Sequence, residues 1–418
     1  MGPRSFTCVP LVFLLACGSS GGTADGGTDA AASGMDAQAP PWLVTTSNAH
    51  SVGFVEGAHG AFPQAVNAGG PVLAAPNVVP VFFSGDGLES DLEDLLSQLP
   101  ASAYWGALRN AYPLVGPITI ASSVVLTDTP PTMASIDDVA DFIAGKLSAS
   151  DPAWPPTTPN NIYVMYYPST TTLTLGSSVG CDGFAGYHSS WHTTSNATFV
   201  FAAISRCPML NTLDVATQNS THEIVEATTD PLFGATPAYV TVDSDHIIWT
   251  QYPGDELADL CEDEALSYQR LIGTYLTARF WSNPSAMAGH DPCAPAIAAA
   301  YYNSVPVTTD TVSLMLSGQS VNTKGVTVPL GQSATIDVQL FSDAPTTPWT
   351  VQAQDASYLF GGATELTFTW DQTSGNNGDT LHLTITRVND GASGGTEFVI
   401  YSTQSSSSSH AYFAVAGN

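Results

Sequence analysis

One short segment carries the residue types that a hydrolytic metal site needs: His222-Glu223-Ile224-Val225-Glu226. On a helix, His222 and Glu226 are four positions apart, so both side chains project from the same face. The His-Glu-x-x-His pattern presents two zinc ligands in this way, and its first glutamate is the general base. A carboxylate binds zinc at nearly the same distance as an imidazole. The spacing therefore predicts His222 and Glu226 as metal ligands and Glu223 as the base.

A third ligand is expected from the downstream segment Glu256-Leu257-Ala258-Asp259, because a catalytic zinc site has three protein ligands and one open position. Two assignments are open. In the first, Glu256 binds the metal and Asp259 orients His222 through the other ring nitrogen. In the second, Asp259 is itself the ligand.

The metal predicted for this ligand set is zinc. Two carboxylates would leave a divalent cation nearly neutral, which weakens its effect on a bound water. Because oxygen ligands also suit Ca²⁺ or Mn²⁺, these ions remain alternatives, and so does a purely structural site.

Hydrolysis of a carbonyl compound also requires a donor to the developing oxyanion. The candidates are Tyr187, His188 and His246. We favour His188 as a catalytic residue because its segment begins at Cys181, and a disulfide there would hold the segment near the helix.

The elements that position these residues follow from hydrophobic periodicity. A helix is predicted over 213–228, ended by Pro231. Further helices are predicted around 92–99, 104–112 and 136–147, with Ser135 as the N-cap of the last. Strands are predicted over 77–83, 117–126, 161–167 and 197–204, the third of them central. Strands interleaved with helices indicate a layered domain of α/β or α+β type over 42–302, of which we favour α+β.

The sequence changes character after Tyr302. Residues 303–418 contain short runs of alternating apolar and polar residues, separated by turns rich in Gly, Asn and Ser. This pattern predicts a C-terminal all-β domain, an antiparallel, immunoglobulin-like β-sandwich. Nothing in it points to catalysis, so we expect a binding or spacing role.

The segment His222–Pro231 and the later Glu-Leu-Ala-Asp-Leu-Cys-Glu run resemble the phosphate-induced, Exordium-like secreted proteins and related bacterial extracellular proteins. Gly180–Ser189 and Arg279–Asn283 match as well, and the resemblance covers roughly residues 70–295. It implies a zincin-like extracellular fold with a metal centre at His222 and Glu226 and with Glu223 between them. It implies no particular substrate.

Charge excludes whole classes of partner. The chain has 8 Lys and Arg against 37 Asp and Glu, a formal charge of −29. Binding to nucleic acid requires cationic side chains that displace counterions from phosphate, so we expect no nucleic-acid partner. A basic face for anionic lipid is excluded for the same reason.

The N-terminus has the pattern of an export signal. Arg4 precedes a short apolar run, typical of a signal peptide over 1–16. Leu14-Leu15-Ala16-Cys17 resembles the lipobox of bacterial lipoproteins, which implies cleavage before Cys17 and a lipid anchor on its thiol. Residues 17–41 are rich in Gly, Ser and Ala and are predicted to form a flexible tether. We therefore expect a protein anchored on the bacterial cell envelope, at the outer membrane, or secreted.

Four cysteines remain beyond the leader and the lipobox: Cys181, Cys207, Cys261 and Cys293. An even number in an exported chain predicts two disulfides. Three pairings are open, of which the sequential one is the most economical.

Together these observations predict an extracellular zinc metallopeptidase acting on peptides or a cell-surface polymer. The alternative is a non-catalytic protein that binds the cell surface, matrix or glycans and has a structural or vestigial metal site. The sequence leaves the oligomeric state open.

Overall fold

The computed structural model describes residues 53–418, except 208–211, 252–253, 317, 358–361, 390–393 and 406–407. The predicted signal peptide, the anchor at Cys17 and the tether lie outside the described residues. Within the described part, no helix combines the length and the apolar character needed to cross a bilayer.

The part of the chain before Tyr302 mixes helices with strands. Its α-helices are α1 (Glu89–Gln98), α2 (Ala103–Ala111), α3 (Ile136–Ser148), α4 (Thr212–Thr229) and α5 (Asn283–Met287). Its strands are β1 (Ala65–Asn67), β2 (Asn77–Phe83), β3 (Thr119–Ile120), β4 (Val124–Leu126), β5 (Met133–Ser135), β6 (Asn161–Tyr166), β7 (Thr172–Leu175), β8 (Ser178–Val179), β9 (Gly186–His192), β10 (Thr198–Ile204), β11 (Tyr239–Val242), β12 (Tyr268–Ile272), β13 (Tyr275–Ala278), β14 (Phe280–Trp281) and β15 (Cys293–Ala294). Short 3₁₀ helices cover Leu99–Ala101, Ser244–Thr250 and Asp259–Cys261.

The main sheet of this part has the order β3-β2-β6-β10-β9, and β4 also pairs with β2. Strands β3, β4, β2, β6 and β10 are parallel, whereas β9 runs antiparallel to β10 at the edge. The predicted central position of β6 is confirmed. The single strand predicted over 117–126 is wrong in detail, because the chain breaks into β3 and β4 there.

Both faces of this sheet are covered, as a largely parallel sheet requires. Leu92 of α1, Leu108 of α2 and Ile224 of α4 belong to the hydrophobic cluster on one face. Val139 and Ile143 of α3 belong to the cluster on the other face.

Helix α4 is buried along most of its length, from Val215 to Thr229. It packs against β9, β10 and β13, and the Thr221 hydroxyl oxygen accepts a hydrogen bond from Ala278 N–H. Its bounds agree with the helix predicted over 213–228. Because α4 is held on several sides, the side chains that it presents have little freedom to move.

The C-terminal part is all-β. Its strands are β16 (Tyr302–Pro306), β17 (Asp310–Leu316), β18 (Gln319–Thr327), β19 (Ser333–Ser342), β20 (Trp349–Asp355), β21 (Leu366–Trp370), β22 (Ser374–Gly375), β23 (Thr380–Arg387), β24 (Gly395–Ser405) and β25 (Ser408–Gly417). They form two sheets, β16-β19-β23-β21 and β17-β18-β25-β24-β20-β22, with one hydrophobic cluster drawn from both. The β-rich C-terminal part is therefore confirmed. One pair, β18 with β25, is parallel rather than antiparallel.

The two parts share a hydrophobic core. Trp249 and Trp281 from the first part pack with Tyr412 and Phe413 of β25, and the ring centroids of Trp249 and Phe413 are 5.0 Å apart. The domain boundary at 302/303 and the zincin-like character of the first part stay predictions.

Both expected disulfides form, Cys181–Cys207 and Cys261–Cys293. Of the three pairings left open by the sequence, the structure has the sequential one. The second disulfide joins the 3₁₀ turn Asp259–Cys261 to β15.

Candidate metal centre

The candidate ligands come from α4 and the turn Asp259–Cys261. The His222 Nε2 atom lies 3.1 Å from Glu226 Oε2 and 3.3 Å from Asp259 Oδ1. Two ligand atoms that are each ~2.1 Å from a tetrahedral zinc lie about 3.4 Å from each other. His222 Nε2 therefore lies at a suitable separation from each of the two carboxylates, and ligand atoms of His222, Asp259 and Glu262 also lie within 4.8 Å of one another.

The turn and the helix are also joined through the backbone. Asp259 N–H donates a hydrogen bond to Glu226 Oε1 at 3.3 Å. Asp259 thus fixes one oxygen of Glu226 while the other oxygen faces His222. This contact orients the Glu226 carboxylate without using the atom that faces the imidazole.

The structure distinguishes the positions of the two downstream acids. Asp259 lies beside His222 Nε2, which also faces Glu226, and not beside the other ring nitrogen. The nearest acid to that other nitrogen, Nδ1, is Glu262, whose Oε1 is 3.9 Å away. Glu256 lies deeper, with Oε1 at 3.5 Å from His188 Nε2. This arrangement favours the assignment of Asp259 as the third ligand.

Glu223 opens onto a cleft of ≈ 100 Å³ beside the ligands. The cleft is lined by Gly183, Phe184, Ala185, Gly186, Gln218, Asn219, His222, Glu223, Asp259, Glu262 and Tyr268. At Gly186, a Cβ atom would lie 2.7 Å from Glu223 Oε1, so glycine permits the close approach of β9 to the carboxylate. The predicted base and two predicted ligands thus line the same space.

His188 is brought to the site but faces away from the cleft. Its side chain, 3% exposed, has Nδ1 at 3.5 Å from Glu223 Oε2. Its Nε2 lies 3.2 Å from the Asp230 carbonyl oxygen. In this position His188 contacts the base and the deeper acids, which suits orientation of Glu223 better than donation to an oxyanion.

The other oxyanion candidates lie elsewhere. Tyr187 packs in the hydrophobic cluster around α3. His246 Nδ1 lies 2.8 Å from Asp243 Oδ1, and its Nε2 lies 3.1 Å from the Ala61 carbonyl oxygen.

Sequence reasoning missed Glu262 and Tyr268. Glu262 follows Asp259 by three positions, a spacing that could have identified it. Tyr268, whose hydroxyl donates to Glu262 Oε1 at 3.2 Å, gave no signal, because it reaches the cleft from a separate strand.

Negative charge is in excess at the site. Burial raises the pKa of Glu226 to about 7, and burial together with the neighbouring Asp259 raises that of Glu262 to about 8. The pKa of Glu256 is raised well above its usual range by burial and by Glu226. Burial opposes protonation of His222, yet Glu226 and Asp259 raise its pKa well above the ordinary value. A divalent cation would relieve this repulsion.

Four basic side chains of the described residues form ion pairs with acids that lie outside the site. The pairs are Lys146–Asp128, Arg206–Asp86, Arg270–Asp214 and Arg279–Asp291. These four residues therefore do not neutralise the site carboxylates. The donor set of imidazole and carboxylates fits a divalent cation, although it does not by itself identify the metal.

Comparison with known proteins adds little. No family model matches the chain, and no curated protein matches it. Among solved structures, a conjugative transposon lipoprotein from Bacteroides eggerthii DSM 20697 aligns with 28% of this chain and 97% of its own at 15% identity. Its TM-score of 0.18 is too low to support an argument about fold or function.

Proposed function

We propose that this protein is an extracellular metallopeptidase in which His222, Glu226 and Asp259 bind a zinc ion and Glu223 is the general base. The observation that carries the proposal is the cleft: the three candidate ligand side chains converge beside it, and Glu223 lines it with His222 and Asp259. A structural metal site has no need of a carboxylate base that lines a cleft beside the ligands.

A zinc ion held there would polarise a scissile carbonyl and acidify water. Glu223 would accept a proton from a water in the cleft and later deliver it to the leaving amine. His188 keeps Glu223 in place, because the two side chains contact each other in a buried environment. Tyr268 lines the same cleft, where its hydroxyl donates to Glu262 Oε1; to stabilise a developing oxyanion, the hydroxyl would exchange that partner for the substrate.

A peptide substrate is favoured by strand β9. In the described part of the chain, β9 is the edge strand of the main sheet and runs antiparallel to β10. Its first residue, Gly186, and the preceding Gly183–Ala185 line the cleft. An extended peptide added to such an edge gains backbone hydrogen bonds, which would place its carbonyls beside Glu223.

Location outside the cytoplasm is part of the proposal. The two disulfides support an oxidising compartment. A lipid anchor at Cys17 would then hold the domains at the envelope surface.

The test is Glu223→Gln in the full chain, which removes the base and retains the shape of the side chain. We expect zinc content to be unchanged and hydrolysis of a diverse peptide library to fall by at least 100-fold. Glu93→Gln on α1, outside the site, is the matched control and should retain full activity. If the zinc-loaded parent protein hydrolyses no peptide, the peptidase proposal fails and a non-catalytic binding role stands.

A further inference from the structure

Glu256 is left unused by the three-ligand arrangement. Its side chain is 10% exposed, and its Oε1 atom is buried with no hydrogen-bond partner. The imidazole of His188 lies beside it, with Nε2 3.5 Å away and already facing the Asp230 carbonyl oxygen at 3.2 Å. A buried carboxylate oxygen without a hydrogen bond is costly unless a cation or a proton compensates it.

Glu256 also belongs to a second group of candidate ligand atoms. One carboxylate oxygen each from Glu226, Glu256 and Asp259 lies within 4.8 Å of the others. Ligands on opposite sides of a cation with bonds of ~2.4 Å are about 4.8 Å apart, and adjacent ones are closer. These oxygens could therefore surround a hard divalent cation without a change of fold.

We propose that the site binds two divalent cations, with Glu226 and Asp259 bridging them. The first lies at His222, as in the proposed function on which this inference rests. The second is completed by Glu256 and has only protein oxygen ligands. Such a ligand set selects a hard cation, Mn²⁺ or Ca²⁺, in preference to zinc. Carboxylate-bridged cations in two-metal sites lie about 3.5–4 Å apart.

Charge balance supports two ions. One divalent cation bound by Glu226 and Asp259 leaves the buried carboxyl groups of Glu223 and Glu256 without a cation. The remaining imidazole, His188, supplies at most one positive charge between them. A second divalent cation removes the deficit.

The chief alternative is that His188 alone compensates Glu256. The two accounts differ in stoichiometry. We would strip the full-length protein with a chelator, load one equivalent of Zn²⁺, and titrate Mn²⁺ at about 0.15 M salt, where weak binding to exposed acids is screened. Bound metal is measured by elemental analysis, and bound Mn²⁺ by electron paramagnetic resonance.

We expect two divalent ions per chain in the parent protein and one in Glu256→Gln, with Mn²⁺ affinity reduced at least 30-fold. Glu93→Gln on α1 is the control, because it removes an acid that belongs to none of the groups of candidate ligand atoms; its Mn²⁺ affinity should change less than 3-fold. Circular dichroism shows whether each variant is folded.

One ion per chain in the parent protein would overturn the second site and leave the proposed zinc site intact. No bound ion would overturn both. Equal Mn²⁺ binding by the parent protein and Glu256→Gln would remove Glu256 from the site.

Discussion

At the scale of single residues, the site depends on side chains with two contacts each. Asp259 faces His222 through its carboxylate and holds Glu226 through its backbone N–H. His188 contacts Glu223 on one ring nitrogen and lies near Glu256 on the other. Because each contact restrains the next, a change at one residue should alter the geometry of its neighbours.

Gly186 tests this idea without touching a candidate ligand. In Gly186→Ala, the new methyl group would lie 2.7 Å from Glu223 Oε1 and force that carboxylate to move. Because Glu223 is buried and its Cγ would also lie 3.0 Å from the new methyl group, we expect this overpacking to cost about 1–3 kcal/mol of stability. Peptide hydrolysis should fall at least 10-fold with zinc content unchanged. Unchanged kcat/KM would show that the position of Glu223 is not critical.

At the scale of elements, α4 and β9 show what the sequence could and could not predict. The bounds of α4 and the shared face of His222 and Glu226 depend on local periodicity, which is read directly along the chain. Strand β9 was not predicted, because its residues are mostly polar and its pairing partner decides its structure. The choice between Glu256 and Asp259 was open because the two acids are three positions apart in one short segment, and only packing against α4 distinguishes their positions.

A contact between the two parts of the chain supports the turn that carries Asp259. His410 of β25 has Nδ1 at 2.6 Å from Glu264 Oε2, and both side chains are buried. Burial lowers the pKa of His410 to about 4 and raises that of Glu264 well above its usual range, so both shifts favour the neutral forms of the pair.

We expect His410→Ala to remove the imidazole partner of Glu264 and to lower the free energy of unfolding by about 1–3 kcal/mol. His382→Ala is the matched control, because that imidazole is half exposed beside Asp371 and solvent screens the contact, so its loss should cost much less stability. Urea unfolding of both variants measures the difference. Equal stability of the two variants would argue against a structural role for the His410–Glu264 contact.

At the scale of the whole molecule, the sequence predicted the coarse organisation of the chain but not how its two parts pack together. The sequence correctly predicted the mixed first part, the β-rich second part and two disulfides from composition and periodicity. It gave no sign that Trp249, Trp281 and Tyr412 belong to one core, because residues far apart in the chain meet only in the folded structure.

Buried acids also set the pH dependence of stability. Burial raises the pKa of Glu397 from 4.5 to about 8, so the folded state retains a proton that the unfolded state releases. Its contribution is therefore favourable below pH 4.5 and is lost as the pH rises to about 8. We expect Glu397→Gln to reduce the loss of stability between pH 5 and pH 8, with Glu93→Gln as the control. Denaturant unfolding at both pH values is the measurement, and parallel losses in both variants would contradict this assignment.

The central claim is that His222, Glu226 and Asp259 bind one cation together. Anomalous diffraction at the zinc edge, from crystals of the zinc-loaded protein, tests it most directly. We expect a peak bonded to His222 Nε2 and to one carboxylate oxygen each of Glu226 and Asp259, at about 2.0–2.2 Å. Zinc bound elsewhere, with no peak between α4 and the Asp259–Cys261 turn, would contradict the account.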